Sequence, residues 1–472
     1  MTHVKQIQEN NNGLTKTENP LGTQPIGKLL ITFSVPAIIS CLINSIYNIV
    51  DQIFIGQGIG YLGNAATTVA FPIMTLLLAF GTLIGSGSSA HAAIRLGEKK
   101  EDEAEKTLNN AFVFTILISV VLMALGLTFL RPILKVFGAT ETVMPYAVDY
   151  TSIILLGTPF NMVSIVLSNL ARTDGHPRLS MYGMLIGAGL NTILDPIYIF
   201  VFHWGVKGAA VATITSQIIS AIVLSVYFMR SSKNPLHMRI RRKQMRLKGK
   251  LIGSFLTLGI SSGITQSVAC IMQVVMNNSL VYYGDKSPIG GDVALSAMGI
   301  VMKIAMIMGA VGIGVGIGAQ PILGYNRGAG KYRRIKETYI WAAVSATVLI
   351  FLGWIVCQTR PEAIIGLFGK ENQEFTDFAV KCLRTYLFSI FCAGFQIVST
   401  NYFQATGQPL KASLLSMLRQ LLLLIPLILI LPLFMGLDGI LYSAPVADVA
   451  SAVIVALFIV PEMRKLNNQI KK

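Results

Sequence analysis

Apolar runs of roughly 20 residues, the length an α-helix needs to cross a bilayer, recur along the whole chain. They fall near residues 28–55, 64–90, 107–130, 144–168, 179–202 and 208–229, and resume near 251–283, 293–323, 338–357, 377–402, 412–434 and 438–460. Hydrocarbon offers no water to an open backbone, so each run must close its hydrogen bonds internally as a helix. The expected fold is therefore an all-α polytopic membrane protein with twelve transmembrane helices in two six-helix lobes. Composition agrees: 13% of residues are charged and 53% hydrophobic, against about 25% charged in an average soluble domain.

The segments between the runs set topology. With both termini inside, the inward segments carry 28 of the 38 Lys and Arg and the outward loops six, namely Arg131, Lys135, Lys207, Lys286, Arg360 and Lys370. This positive-inside bias places both termini in the cytoplasm and explains the net charge of +16 without a nucleic-acid partner. The expected organisation is a disordered cytoplasmic tail over 1–27, an N-lobe over 28–230 and a basic cytoplasmic connector over 231–250. A C-lobe over 251–460 and a cytoplasmic tail over 461–472 complete it.

The halves repeat each other. RPILKVFGATETVMPYAVDY resembles RPEAIIGLFGKENQEFTDFAVKCLRTY, NLARTDGHPRLS matches NYFQATGQPLKAS, and HWGVKGAAVA matches FMGLDGILYS, all at an offset of about 231 residues. Six helices per repeat is an even number, so the lobes share one orientation and a pseudo-two-fold axis runs along the membrane normal. Two similar lobes that rock against each other are a transporter's layout.

One helix-length run, PAIISCLINSIYNIVDQIFIG, buries a carboxylate, Asp51, fifteen residues after Pro36. An Asp at a helix centre costs roughly 3 kcal/mol to insert, so it faces a bundle interior or a watery cavity. Pro36 removes one backbone hydrogen bond and lets the helix bend. In helix five, Asn191 and Asp195 stand four apart on one face, and their oxygens, with those of Asp51, suit a hard cation. Two carboxyls brought close titrate as a pair, which makes proton coupling an equal expectation.

These stretches are similar to those of the multidrug and toxic compound extrusion (MATE) family. NIVDQIFIG, NTILDPIYIF, GVKGAAVATITSQ and the twin TDGHP and ATGQP loops carry the resemblance over about 28–460, and SAPVADVAS resembles its MepA/DinF-like branch. The resemblance implies an antiporter in which Tyr47 and Thr213 line the pocket of Asp51, Asn191 and Asp195. It departs from members that couple sodium through the second lobe, because helices seven and ten here lack their acids. Coupling is therefore expected in the first lobe. The second lobe instead offers a polar network of Lys303, Arg419, Asp448, Gln273 and Asn277, with Lys303 expected to pair with Asp448.

The expected function is a multidrug efflux antiporter of the plasma membrane, acting as a monomer. It exports lipophilic, mostly cationic drugs or toxins in exchange for H⁺ or Na⁺, and needs no cofactor beyond that ion. The alternative is a flippase for a lipid-linked oligosaccharide, which shares such duplicated architecture. No catalytic constellation marks an enzyme, five scattered His and five Cys lack metal-ligand spacing, and no pore-lining charged ring marks a channel. The glycine-rich GAVGIGVGIGAQP at 309–321 is no phosphate loop but a place for close helix packing.

Overall fold

The computed structural model describes residues 19–230, 238–366 and 373–471. The N-lobe comprises α1 (Ile26–Ile59), α2 (Tyr61–Gly97), α3 (Glu101–Thr128), α4 (Met144–Thr173), α5 (Pro177–Pro196) and α6 (Gly205–Met229). The C-lobe comprises α7 (Gly249–Asp285), α8 (Gly291–Gly328), α9 (Tyr332–Thr359), α10 (Gln373–Tyr386 and Cys392–Ala405), α11 (Pro409–Met435) and α12 (Leu437–Lys471). Among the described residues, eleven helices are long and apolar enough to cross a membrane.

The twelfth, α10, is broken over Leu387–Phe391, where backbone bonds tighten to the i−3 pattern. There the Ser389 hydroxyl donates to the Pro445 carbonyl of α12 at 3.1 Å. Two 14-residue pieces replace the continuous helix expected at 377–402. α5 runs on into a π-helical turn at Ile197–Val201, and α11 contains one at Leu418–Leu424.

The repeat is visible in the backbone. Gly175 and Gly407, which end α4 and α10, take φ of +86° and +78°, a left-handed conformation that glycine adopts without a Cβ penalty. Gly60 and Gly290 match in the same way, at +80° and +84°.

The N-terminal turn, the inner connector and the end of α12 lie at one face, the connector face. Here the expectations change. Residues 1–18 lie outside the described residues, but the nine that follow are ordered, unlike the tail expected over 1–27. Pro20–Thr23 forms a helical turn capped by Asn19, with Leu21 1% exposed. Its carbonyls are bound from the C-lobe by Asn326 Nδ2 on Leu21 O and Lys331 Nζ on Gly22 O, at 3.0 and 2.9 Å. Of the expected tail 461–472, residues 461–471 are the last stretch of α12, which stays helical to Lys471 because Leu466 is buried and Lys336 Nζ donates to Asn467 Oδ1 at 2.9 Å. Of the connector, 231–237 lie outside the described residues. The rest docks on α3, whose Asn109 Oδ1 accepts from Arg241 N (2.7 Å) and Asn110 Oδ1 from Lys248 N (2.8 Å).

The packing is unequal at the two ends. At the connector face one apolar core spans both lobes and joins Leu29 and Phe33 of α1 and Ile84 of α2 to Phe255, Ile322 and Val398. Toward the opposite face the core divides. One cluster belongs to the C-lobe alone, around Met276, Val301 and Leu441, and two belong to the N-lobe alone, around Ile55 and around Leu134. Small residues allow the shared contact. A Cβ on Gly259 of α7 would stand 1.8 Å from the Leu83 carbonyl oxygen of α2, and one on Gly318 of α8 would stand 2.6 Å from Ser34 Cα of α1. Ser86 seals the same level: its hydroxyl donates to Ser262 at 2.7 Å and accepts from Gln404 Nε2 at 3.0 Å, while its carbonyl accepts from Gln320 Nε2 at 3.1 Å. The lobes are thus clamped at the connector face and separately packed beyond it.

Candidate ion-coupling site

α1 runs unbroken through Pro36, which is buried, and the Ser40 hydroxyl donates to the Pro36 carbonyl at 2.8 Å. At 1.5 Å per residue, Asp51 lies about 38 Å from the connector-face end of α1 and Asp195 about 27 Å along α5. Both therefore stand in the half of the N-lobe where the two lobes no longer share a core.

The structure brings together all five residues expected there. Asn191, Asp195 and Thr213 are 2%, 1% and 6% exposed. Asn191 Nδ2 donates to Asp195 Oδ1 and to Thr213 Oγ1, each at 3.2 Å. Thr213 passes its own proton to Ala209 O at 3.1 Å, so its oxygen is left to accept. Asp51 of α1 stands close to Asp195 of α5, so the two carboxyls act on each other. Tyr47, one turn before Asp51, lies near both carboxyls.

Two buried acceptors remain without a donor, Asp51 Oδ1 and Asn191 Oδ1. A buried acceptor with no partner costs about 1–3 kcal/mol. Oxygens left over beside a carboxyl pair suit a proton or a small hard cation such as Na⁺.

Sequence reasoning missed Tyr150 of α4, which is 2% exposed and stands within the field of Asp51, Tyr47 and Asp195. Its only sequence signal is its place at the end of the repeated stretch VDY, which does not announce a pocket.

In the C-lobe the expected network divides. Asp448 pairs with Arg419, not with Lys303: Arg419 Nε lies 2.5 Å from Asp448 Oδ1. Arg419 and Asp448 sit on adjoining helices, α11 and α12, whereas Lys303 is on α8. Lys303 stands eleven residues, close to three whole turns, from Gly314, so it shares the face on which Gly314 meets Ile38 of α1. It is half-buried and joins no ion pair among the described residues. Gln273 Nε2 donates to Asn277 Oδ1 along α7 at 2.9 Å. Among the described residues no group of three His, Cys, Asp or Glu could hold a metal.

A bundle of two six-helix repeats with a carboxyl pair inside one lobe defines a multi-pass membrane transporter rather than an enzyme. The family model MatE matches residues 36–197 and 257–430, and the chain belongs to that family, one of multidrug exporters. The multidrug export protein MepA of Staphylococcus haemolyticus is 28% identical over 93% of this chain and 94% of its own length. MepA of Staphylococcus aureus is 27% identical over 92% and 94%. Among solved structures, the MATE multidrug transporter DinF-BH, captured in complex with a small molecule, is 32% identical, with a TM-score of 0.85, over 93% of this chain and 96% of that one. A multidrug resistance MATE transporter in an outward-facing conformation superposes with a TM-score of 0.88 at 20% identity, over 97% and 99%.

Proposed function

We propose that this chain is a secondary active antiporter of the plasma membrane that exports lipophilic cationic compounds in exchange for H⁺ or Na⁺, with coupling in the N-lobe. The observation that carries the reading is the buried cluster of Asp51, Asn191, Asp195 and Thr213, with two acceptor oxygens still unsatisfied. A carboxyl pair buried inside a lobe has the means to take up one cation and release it on reorientation.

The connector face is assigned to the cytoplasm by its excess of Lys and Arg. The clamp at that face then makes this an outward-open arrangement, in which the ion enters from outside. Loading the site neutralises its charge and removes the penalty for desolvating it. That permits α1 to bend at Pro36 and the cleft to close behind the departing drug. The relatives named for multidrug export and the small-molecule complex of DinF-BH support drugs as the cargo.

The test is dye efflux in proteoliposomes under separately imposed pH and Na⁺ gradients. Asp195→Asn and Asp51→Asn are each expected to reduce gradient-driven efflux at least about tenfold, with correctly folded protein. Full coupled efflux by both variants would sink the proposal, and the gradient that drives the wild type identifies the ion.

A further inference from the structure

The lipid-facing side of the C-lobe holds a crevice of about 400 Å³ between α9, α10 and α12. Its floor is closed by Tyr339 and Ala343 of α9, Phe395 of α10 and Ile459 of α12, while Val344, Val348 and Val460 stand exposed along its rim. Small side chains facing it from α9 and α12, at Ala343, Thr347 and Ala456, leave the space open. The Tyr339 hydroxyl is occupied elsewhere. It donates to Ser399 Oγ at 2.9 Å, and Ser399 spends its own proton on the Phe395 carbonyl at 2.7 Å. The other polar side chain of the lining is Thr347, and the rest is apolar.

The crevice lies at the depth of one leaflet. α9 starts at the connector face with Tyr332, so Tyr339 stands about 10 Å along it and Val348 about 24 Å. The stretch between them, about 14 Å, is close to half of the roughly 30 Å hydrocarbon core. Its inner mouth is basic. Helical spacing carries the crevice face of α9 inward from Ile340 to Lys336 and Arg333, and that of α12 from Val460 to Arg464. Lys336 Nζ bridges the two helices by donating to Asn467 Oδ1 at 2.9 Å, which uses one of its three hydrogens. Arg464 is exposed and joins no ion pair among the described residues. The nearby acids are already engaged: Glu337 pairs with Arg333 at 3.0 Å, and Glu462 holds Lys411 at 3.2 Å and Gln408 at 2.7 Å. Lys336 and Arg464 are left in excess.

We propose that this crevice binds an anionic phospholipid of the leaflet on the connector face, with one acyl chain laid between α9 and α12 and the phosphate held by Lys336 and Arg464. A space lined this way does not hold water, and left unfilled it forfeits dispersion contacts on every wall. The acyl chains around the protein are the apolar groups at hand, and the crevice matches the length of chain that one leaflet supplies. The two cations turn ordinary lipid contact into a site, because charge-assisted donors on separate helices fix a phosphate in place, as basic groups between helices do on the cytoplasmic side of membranes. The bound lipid then ties α9 to α12 beside the Lys336–Asn467 contact. The basic mouth repels a lipophilic cation, which sets this site apart from a path for the drug. The inference goes beyond the exporter reading and does not rest on it.

The test is native mass spectrometry of the purified full chain, titrated with phosphatidylglycerol and separately with phosphatidylcholine bearing the same acyl chains. The wild type is expected to bind its first phosphatidylglycerol about tenfold more tightly than its first phosphatidylcholine, whose choline cation the basic mouth repels. Lys336→Gln with Arg464→Gln should erase that preference and leave phosphatidylcholine affinity within about twofold. Ala456→Phe, which fills the crevice, should lower phosphatidylglycerol affinity about tenfold. If Ala456→Phe does not fold, Thr347→Leu fills part of the space from the opposite wall and should give a smaller loss in the same direction. Equal affinity of the wild type for the two lipids, or unchanged phosphatidylglycerol affinity in the crevice variants, would overturn the proposal. So would loss of dye binding in Ala456→Phe with lipid binding intact, which gives the crevice to the drug, or loss of a dimer peak with lipid binding intact, which gives it to a second copy. None of these outcomes bears on coupling in the N-lobe, which the efflux assay tests by itself.

Discussion

The clamp between lobes yields a prediction in which the magnitude follows from geometry. In Gly259→Ala the new methyl carbon would stand 1.8 Å from the Leu83 carbonyl oxygen, where ordinary contact begins at 3.4 Å, so α2 and α7 must part by about 1.6 Å. The obstacle is backbone, and no rotamer change relieves it. Overpacking of this kind costs about 1–3 kcal/mol. The contact exists only while the lobes are closed at the connector face, so the cost falls on that state and shifts the conformational equilibrium by about 5- to 150-fold. Spin labels at Lys99→Cys and Arg333→Cys, on exposed positions of the two lobes, report the connector-face separation by pulsed electron resonance. In Gly259→Ala the population at longer distance should grow, and export should slow because one half of the cycle is disfavoured. Gly249→Ala, with nothing within 4 Å of its new methyl, should change neither readout. An unaltered distance distribution in Gly259→Ala would refute the claim that this contact holds the lobes together.

Other consequences follow from single contacts. Asp448→Asn leaves the partly buried Arg419 guanidinium without its counter-charge, a loss of at most about 3 kcal/mol, so the melting temperature should drop below that of the paired Arg419→Met, Asp448→Leu variant. At the connector face the hydrogen bond from His176 to the Asp174 carboxylate raises the pKa of His176 above its ordinary value. Asp174 also accepts from Met238 N (2.8 Å) and Tyr227 Oη (2.6 Å). The protonated histidine therefore stabilises this end of the connector below the ordinary His range, and the contribution is lost as pH rises through the raised value. Hydrogen exchange at the Met238 amide, corrected for intrinsic rate, should quicken across that interval, and His176→Gln should abolish the pH dependence.

The sequence showed the helices and the duplication plainly, because both depend on local composition and repeated spacing. It also brought out Asn191 and Asp195, since a shared helical face follows from a spacing of four. It did not show partnership across helices. Lys303, Arg419 and Asp448 were each recognisable as costly residues in lipid, but which would meet depends on the azimuth of three helices, and periodicity leaves that open. Tyr150 was hidden for the same reason, as an ordinary aromatic until α4 is placed against α1 and α5. The break in α10 was hidden because Leu387–Phe391 is as apolar as its flanks, and only the reach of Ser389 to α12 distinguishes it.

Helix α1 connects the two halves of the proposed cycle. Its first half is bound to the other lobe: Ser34 and Ile38, on either side of Pro36, rest against Gly318 and Gly314, where a Cβ would approach backbone atoms to about 2.5 Å. Its second half carries Asp51, turned toward α5 inside the N-lobe. The proline thus lies within the inter-lobe contact, between the residues that meet the two glycines, and not beside the carboxyl. A change of charge at Asp51 can act on the clamp only by altering the direction of a helix whose near end is held by α8. Pro36 removes a backbone hydrogen bond at the place where that helix is held, so bending there moves the outer half of α1 relative to both lobes. An ion bound near one face can in this way loosen a seal made near the other, with no chain of polar contacts running between them.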